Sequence, residues 1–405
     1  MVVKLLVITP IYYPEVGGGA LATYLMVDLL AKLEGLKITV LTGCKAPKRS
    51  KGVNYVYDPF LKTIDKNLYP LQLLFERYER IIRTHDVIYI MYAFPLIPIA
   101  KKLRKRTIVH LHDYRPISPF ATIFAGSKKS NVNLIKNSFI LSMMQKKGIK
   151  GLIKNMINIP YTMQIRRWIC MADLILTVSK RHAEVVSEHM PICRNKIKVV
   201  YNPPPNLPSI RKNLEDKPLF LYVGGDNVFK GFHVLLKSLK TLGENGQRDF
   251  RVIFAGKYSL KSLEIINKLR ELYKMNLEVY GMLDHDNIVK LHSKAWALLF
   301  PSIIEEPLPY AVLESILFGT LPIASRVGGV TEIVSGTIAE EFLITPGDYL
   351  ALTHKILLIL SYEKNTFEKY FIQTILSESK EKYYKIFYKN LEYFIVQLRG
   401  NLKYL

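Results

Sequence analysis

Acidic residues and cysteines are scarce in this sequence. Among its 405 residues, 57 lysines and arginines outnumber 34 aspartates and glutamates, which gives a formal net charge of +23. The three cysteines, Cys44, Cys170 and Cys193, have neither paired nor metal-ligand spacing, so we expect no disulfide framework and no zinc site. A reducing, cytoplasmic setting fits this cysteine usage best.

Long apolar runs are also missing. No uninterrupted apolar stretch approaches the ~20 residues that a membrane-spanning helix needs, so a transmembrane protein is not expected. The N-terminal run MVVKLLVITP stops at Pro10 and lacks a signal-peptide cleavage site, so it predicts a first buried strand. The positive charge would attract nucleic acid, anionic lipid or phosphorylated substrates alike, and a solvated lysine-rich surface explains it equally well.

Short β-branched runs alternate with helix-length segments in both halves of the chain. The first half contains KLLVITP, KITVLTG, VIYIMY, TIVHLHD, DLILTVS and IKVVYN, and the second contains PLFLYVGG, RVIFAGK, LEVYG, ALLFPS, LPIASRVG and EFLITPG. Five prolines within residues 203–218 mark a linker between the halves. This α/β pattern predicts two Rossmann-like domains with doubly wound parallel sheets, over residues 1–203 and 217–377, and a long helix after them.

Open α/β sheets bind ligands at the carboxyl ends of their strands, so the loops there are the candidate functional segments. In the first half, Gly17, Gly18 and Gly19 follow the first strand, and a helix is predicted just beyond them. Exposed amides at such a helix start favour an anion, although a glycine turn is as often purely structural. In the second half, Gly224, Gly225, Lys230 and Gly231 form a comparable turn, and a lysine there is suited to hold a diphosphate.

Histidine residues follow another strand of the first half, in the run HLHDYRP. His110 and His112 share one face of an alternating strand, and a lone histidine is more often a satisfied core residue than a ligand. A histidine where strand becomes loop is a better candidate for a substrate hydrogen bond, so we favour His112, which is nearer the strand end.

The most specific run is EEPLPYAVLES, residues 305–315, which follows the strand ALLFPS. Glu305 and Glu306 precede a proline-started helix, and Glu314 lies within it. Backbone amides near residues 308–310 would form an anion site beside carboxylates that can accept hydrogen bonds from sugar hydroxyls. Acids at a helix start also serve simply as caps. The triplet 284–286, Asp-His-Asp, resembles a metal motif but is predicted to cap a helix.

In their order along the chain, these motifs resemble the family 4 retaining glycosyltransferases of the GT-B fold. The resemblance covers nearly the whole chain and implies two domains facing each other across a cleft, with the terminal helix, residues 378–405, packing back on the first. It implies a nucleotide-sugar donor, no divalent metal and no other cofactor. The residues it singles out as catalytic are His112, Lys230 and Glu306, and those that would bind the donor are Gly17, Gly18, Gly19, Gly224, Gly225, Lys230, Gly281, Glu306, Pro307, Leu308, Pro309, Tyr310 and Glu314.

Within that set the resemblance assigns individual roles. Glu314 would bind the ribose hydroxyls, Glu306 would lie near the donor sugar, and Lys230 would steady the diphosphate. His112 would contact the donor sugar. The family commonly has an arginine where this sequence has Gly225, so either Lys230 and backbone amides suffice or another cation, such as Arg326 or Arg115, substitutes.

A basic stretch with apolar residues lies in the first half. Between Asp113 and Asp173 there are ten cations and no acid, and residues 101–106 add KKLRKR. These features predict docking of residues 101–106 and 128–167 on an anionic membrane surface, peripheral to the cytoplasmic face, whereas an ordinary helical hairpin with a basic face is the alternative.

The activity expected from all of this is transfer of a hexosyl unit from a nucleoside-diphosphate sugar to a glycan or lipid-linked acceptor, with no nucleic acid involved. Two other functions stay open at this stage. One is a nucleotide-sugar epimerase on a similar fold, and the other is a non-catalytic basic protein that binds lipid or nucleic acid.

Overall fold

The computed structural model describes residues 2–15, 17–64, 67, 69–126, 140, 143, 148–205 and 211–399, with side chains omitted for 148–157, 379 and 399. The chain forms two compact units. The first comprises Met1–Ile123, Ser127–Pro204 and Ile386–Leu405, and the second comprises Phe124–Gly126 and Pro205–Lys385.

A parallel sheet forms the centre of the first unit. Its strands are β1 Val3–Thr9, β2 Leu36–Thr42, β3 Asn54–Tyr57, β4 Val87–Ile90, β5 Arg106–Leu111, β6 Leu174–Thr177 and β7 Ile197–Val199. They lie in the order β3-β2-β1-β4-β5-β6-β7, the doubly wound order in which the chain starts in the middle and reverses once. The central strands are buried on both faces, which explains their continuous apolar sequences.

Helices cover the faces of this first sheet. They are α1 Gly18–Leu30, α2 Leu61–Ile64, α3 Leu71–Arg83, α4 Ile97–Lys102, α5 Gly148–Met171 and α6 Lys180–His189, with short 3₁₀ helices at Phe94–Leu96 and Pro191–Lys196. In α3 the buried residues Leu74, Tyr78 and Ile82 recur every fourth position, so a single apolar stripe holds this helix against the sheet.

The second unit repeats the same architecture. Its strands are β8 Leu219–Val223, β9 Arg251–Ala255, β10 Asn276–Gly281, β11 Ala297–Phe300, β12 Leu321–Ser325 and β13 Leu343–Ile344. The order β10-β9-β8-β11-β12-β13 matches that of the first sheet, and the strand pairings are again parallel. Two doubly wound parallel sheets confirm the predicted fold class.

The helices of the second unit continue the alternation. They are α7 Phe232–Glu244, α8 Leu260–Tyr273, α9 His285–Lys294, α10 Tyr310–Leu317, α11 Val330–Val334, α12 Tyr349–Leu360 and α13 Lys364–Phe367, with 3₁₀ helices at Val228–Lys230 and Ile338–Phe342. Two π-helical stretches, Glu368–Ile372 and Ile375–Ser379, lead into α14 Lys380–Arg399. The ring of Phe394 in α14 packs 5.5 Å from that of Tyr89, within the first unit.

Three details differ from the sequence-based expectations. Strand β3 was not predicted, because it is a four-residue edge strand without a buried position. Helix α1 begins at Gly18 and not beyond the glycines, with Gly17 at its N-cap in a positive-φ conformation. A disulfide joins Cys170 and Cys193, because the end of α5 and the 3₁₀ helix after α6 bring their Cα atoms within 5.3 Å, so the expectation of no disulfide was wrong.

No helix within the described ranges carries an apolar stretch long enough to cross a bilayer.

Candidate active site

His112 lies immediately after β5, at the carboxyl edge of the first sheet. Its ring is 4.3 Å from that of His110, which shares a 2.6 Å hydrogen bond with the Tyr89 hydroxyl. The Nε2 atoms of both rings are buried and have no hydrogen-bond partner among the described residues. Burial lowers the pKa of His112 to about 4, against a hydrogen bond to Asn202 that raises it, so the ring is neutral at neutral pH.

The glycines after β1 occupy positions that favour glycine for different structural reasons. Gly17 has a φ of 137° with open space around it, whereas a Cβ on Gly19 would lie 2.1 Å from the Tyr92 hydroxyl oxygen. Gly19 therefore allows α1 to approach the segment after β4. Gly18 is the first residue of the helix, so its amide N–H belongs to the unpaired first turn where anions bind.

The turn after β8 forms one wall of a cavity in the second unit. This cavity has a volume of about 490 Å³, and Gly224, Gly225 and Met282 are among its lining residues. Gly281, at the end of β10, accepts a 2.7 Å hydrogen bond from the Gly256 N–H, which joins two of the loops at this edge of the sheet.

The backbone geometry at Gly225 explains why this chain lacks the arginine that the family commonly has there. Its φ is +59°, and a Cβ there would lie 2.6 Å from the Lys257 carbonyl oxygen. The adjacent backbone therefore occupies the place where a side chain would begin. An arginine does not fit at this position in the observed backbone, so the glycine is a requirement of the loop and not a simple loss of charge.

Lys230 and Glu306, 76 residues apart in sequence, form an ion pair. The Lys230 Nζ lies 2.7 Å from Oε1 and 2.9 Å from Oε2 of Glu306. The Ser302 hydroxyl donates to the same Oε1 at 2.7 Å, and Glu306 is only 5% exposed. A buried carboxylate held by an ammonium and a hydroxyl is fixed in orientation.

Glu305 has a different role from its neighbour. One of its carboxylate oxygens accepts a 2.8 Å hydrogen bond from the Gly328 N–H, and the side chain is buried. The carbonyl of Glu306 accepts from the Gly329 N–H at 2.8 Å, so both glutamates anchor the turn that begins the GGVTE run. The carboxylate of Glu305 is thereby committed to the protein backbone.

Glu314 lies in α10 and is paired with a histidine that the sequence analysis did not include among the site residues. The His285 Nε2 lies 2.8 Å from the Glu314 Oε1, and the Glu314 side chain is 8% exposed. His285 is the middle residue of the Asp-His-Asp triplet, and Asp284 caps α9 by accepting from the Asn287 N–H at 2.8 Å, as predicted. The signal for His285 was masked by the metal-like pattern of its neighbours.

Residues 307–310 form the approach to α10. Pro309 is the N-cap with extended backbone angles, and Tyr310 is the first helical residue. Leu308 and Tyr310 are buried, whereas Pro307 is half-buried. Pro309 makes no side-chain cap hydrogen bond to the first turn, and the N-terminus of a helix is a place where anions commonly bind.

The two substitute cations proposed from the sequence are placed differently. Arg115 donates from Nε to the Asp113 carboxylate at 3.1 Å, and its guanidinium lies 4.4 Å from the Tyr92 ring centroid, within the first unit. Arg326 is exposed in the loop after β12 of the second unit, and its N–H donates to the Ile344 carbonyl.

The basic segments of the first unit are described only in part. Of residues 128–167, the part before 158 lies outside the described side chains except for Ile140 and Met143. In residues 101–106, Lys101 binds the Asp173 carboxylate at 2.7 Å, Lys105 donates to the Arg83 carbonyl, and Lys102 lies 4.4 Å from the Phe75 ring centroid. Membrane docking through these segments stays a prediction.

In the described ranges, no group of three or more histidine, cysteine or acidic residues is arranged to hold a metal ion.

Two family patterns match adjoining parts of the chain. Residues 16–203 match Glycosyltransferase Family 4, and residues 206–374 match Glycosyl transferases group 1. The D-rhamnosyltransferase WbpZ of Pseudomonas aeruginosa is 28% identical over 128 residues, which are 31% of this chain and 32% of that protein. The aligned part is thus about a third of the relative's length.

Solved structures share the fold over the whole chain. The HepE protein of Anabaena, in complex with UDP, aligns with a TM-score of 0.63 at 16% identity and 100% coverage of both chains. The sucrose-phosphate synthase of Thermosynechococcus elongatus aligns with a TM-score of 0.65 at 18% identity, covering 99% of this chain and 98% of the other. With its two Rossmann-like units and both family patterns in sequence, the chain belongs to the group 1 and family 4 glycosyltransferases of the GT-B fold.

Proposed function

We propose that this glycosyltransferase moves a hexosyl unit from a nucleoside-diphosphate sugar to a glycan or lipid-linked acceptor, with retention of anomeric configuration. The observation that carries the proposal is the Lys230–Glu306 pair beside the glycine turn after β8. The structures of HepE with UDP and with UDP-glucose support a nucleotide-sugar donor.

Lys230 is suited to the departing diphosphate. An ammonium has three N–H donors, and two of them serve the oxygens of Glu306. The remaining N–H can bind a phosphate oxygen, and its positive charge stabilises the negative charge that develops when the sugar–phosphate bond breaks. Glu306 fixes the position of this ammonium before the donor binds.

Glu314 and the helix start at Pro309 complete the donor site. The Glu314 carboxylate is buried and oriented by His285, so it can accept hydrogen bonds from the ribose hydroxyls. The N-terminus of α10, where Pro309 makes no side-chain cap hydrogen bond, is suited to the negative charge of the diphosphate. We assign no side-chain nucleophile and no metal. The departing diphosphate takes the proton of the acceptor hydroxyl as the new bond forms on the face that it leaves.

A donor panel tests this function directly. UDP, GDP and ADP and their sugars are screened for a rise in thermal stability, because a ligand that binds the folded state raises the unfolding temperature. The donor that binds is then used in turnover assays, and the product anomer is assigned by NMR. A chelator is expected to leave turnover unchanged.

Variants of the ion pair decide the role of Lys230. Lys230→Ala is expected to lower kcat by about 10²–10³-fold, the loss typical for removal of one charge-stabilising donor. Lys240→Ala, at an exposed position on α7, serves as the matched control and is expected to keep full turnover. Near-wild-type turnover of Lys230→Ala would contradict the proposal.

Interconversion of sugars on donor alone would identify an epimerase instead, and absence of any donor binding would indicate a non-catalytic protein.

A further inference from the structure

His285, the middle residue of the Asp-His-Asp triplet, is turned towards the interior of the second unit. Asp284 and Asp286 on either side of it are exposed, whereas His285 is half-buried at the first position of α9. The buried residues of the same helix are Ile288, Val289 and His292. They follow His285 by three, four and seven positions, so His285 lies on the inward-facing stripe of the helix. Packing of the whole helix therefore directs this ring inward.

The His285 ring holds one oxygen of the Glu314 carboxylate on α10. Its Nε2 lies 2.8 Å from Oε1, and the two side chains are 22% and 8% exposed. A carboxylate accepts hydrogen bonds, so we assign the proton of this bond to Nε2. The described residues make no other hydrogen bond to this carboxylate. The N–H of His285 is thus the group that fixes its plane.

The second carboxylate oxygen of Glu314 is left for a ligand. Oε2 makes no hydrogen bond to the described residues, and it is not among their fully enclosed, unbonded side-chain atoms, so a ligand can reach it. Met282, three residues before His285, lines the cavity beside the glycine turn after β8. The pair of His285 and Glu314 therefore lies at the same edge of the sheet as this cavity.

We propose that His285 is a positioning residue that makes the donor site selective for ribonucleotides over deoxyribonucleotides. The inference rests on the proposed transferase function, in which Glu314 accepts hydrogen bonds from the ribose hydroxyls. With Oε1 bonded to His285, Oε2 is held in one direction and accepts from a hydroxyl at one place. A deoxyribose that lacks this hydroxyl leaves a nearly buried oxygen without a donor, and a site built to bond a hydroxyl rejects such an analogue strongly.

Nucleotide binding measures this selectivity without turnover. UDP, GDP and ADP are titrated calorimetrically into the full chain, and each nucleotide that binds is compared with its 2′-deoxy and 3′-deoxy forms. The wild-type protein is expected to bind at least one deoxy form about 10–100-fold more weakly, as loss of one hydrogen bond to a carboxylate predicts. Equal affinity for all three forms would overturn the inference.

Variants at position 285 test the origin of the selectivity. His285→Leu removes the N–H donor and is expected to bind the ribo and deoxy forms with nearly equal affinity. His285→Gln keeps an N–H donor of similar reach and is expected to retain most of the selectivity. If His285→Leu does not fold, His285→Asn takes its place, because its amide is too short to reach Glu314.

His292→Gln is the matched control for these variants. It replaces a buried histidine near the other end of α9 and is expected to leave the ratio of the two dissociation constants unchanged. A role of His285 in folding alone would weaken both nucleotide forms equally. An unchanged ratio in His285→Leu, or in His285→Asn where that variant is used, therefore overturns the inference.

A double variant tests whether His285 acts through Glu314. Glu314→Ala is expected to lower ribonucleotide affinity, and adding His285→Leu to it is expected to cause no further loss, because the two side chains act as one unit. A further loss would overturn the positioning role. If ribonucleotides bind and sugar is transferred but the selectivity does not depend on His285, only this inference fails. If none of the nucleotides binds, the proposed donor function fails and this inference fails with it.

Discussion

Substitution of Gly225 by alanine is expected to destabilise the second unit more than the same substitution at another positive-φ glycine. Two costs add at Gly225. A non-glycine residue in the left-handed region costs about 1–2 kcal/mol. The new Cβ would also lie 2.6 Å from the Lys257 carbonyl oxygen, and relief of such an overlap costs about 1–3 kcal/mol.

Gly246 offers a matched control in the same unit. Its φ is +74°, and a Cβ there would meet nothing within 4 Å, so Gly246→Ala carries only the conformational cost. The difference between the two variants isolates the overlap. For a unit of this size, a further 1–3 kcal/mol corresponds to a melting temperature about 2–12 °C lower for Gly225→Ala than for Gly246→Ala.

Thermal unfolding followed by circular dichroism measures both variants. Equal melting temperatures for Gly225→Ala and Gly246→Ala would refute the argument that backbone contact excludes a side chain at position 225. Gly225→Arg, which restores the residue common in the family, is expected to be at least as destabilised as Gly225→Ala, because its Cβ meets the same carbonyl oxygen.

Two further predictions concern stability. Glu305→Ala leaves the buried Gly328 N–H without its acceptor, so it is expected to lower the free energy of unfolding in urea by about 1.5–3 kcal/mol. Glu340→Ala, which removes the acceptor of the exposed Gly336 N–H, is expected to lower it by less than about 1 kcal/mol, and similar losses for both variants would contradict this assignment. Burial lowers the pKa of His292 to about 3. Between pH ~6.5 and pH ~3 the unfolded chain therefore binds a proton at this residue that the folded chain does not. The free energy of unfolding then falls as the pH is lowered, by up to about 1.4 kcal/mol per pH unit. His292→Gln is expected to reduce this slope measurably between pH 7 and pH 5, and an unchanged slope would show that other groups cause it.

The alternation of apolar runs and helical segments sufficed to predict twelve of the thirteen strands that lie in the described residues. Buried parallel strands are apolar on both faces, so they stand out in a sequence as continuous β-branched runs. Strand β3 is partly exposed at a sheet edge and lacks that signal. Helix capping could also be predicted from neighbouring residues alone. The position of Asp284 at a helix start indicated its capping role.

Pairs of residues far apart in sequence required the tertiary structure. The resemblance singled out Glu306 over Glu305, but EEPLPYAVLES did not show that Glu305 is bonded to the Gly328 N–H and Glu306 to Lys230. The partner of Glu314 is His285 on another helix. These pairs depend on which loops the strand order brings to one edge of the sheet.

The strand and helix pattern of the sequence and the glycine at position 225 illustrate the difference between what a segment encodes and what the fold decides. The sequence by itself determined that two α/β units form and that their functional loops follow the strands, because burial periodicity is a property of each segment alone. Only the tertiary structure decided that residue 225 must be glycine and that Cys170 meets Cys193. Both facts arise from close contacts between two segments. The periodicity of each segment does not encode how near the other segment lies in space.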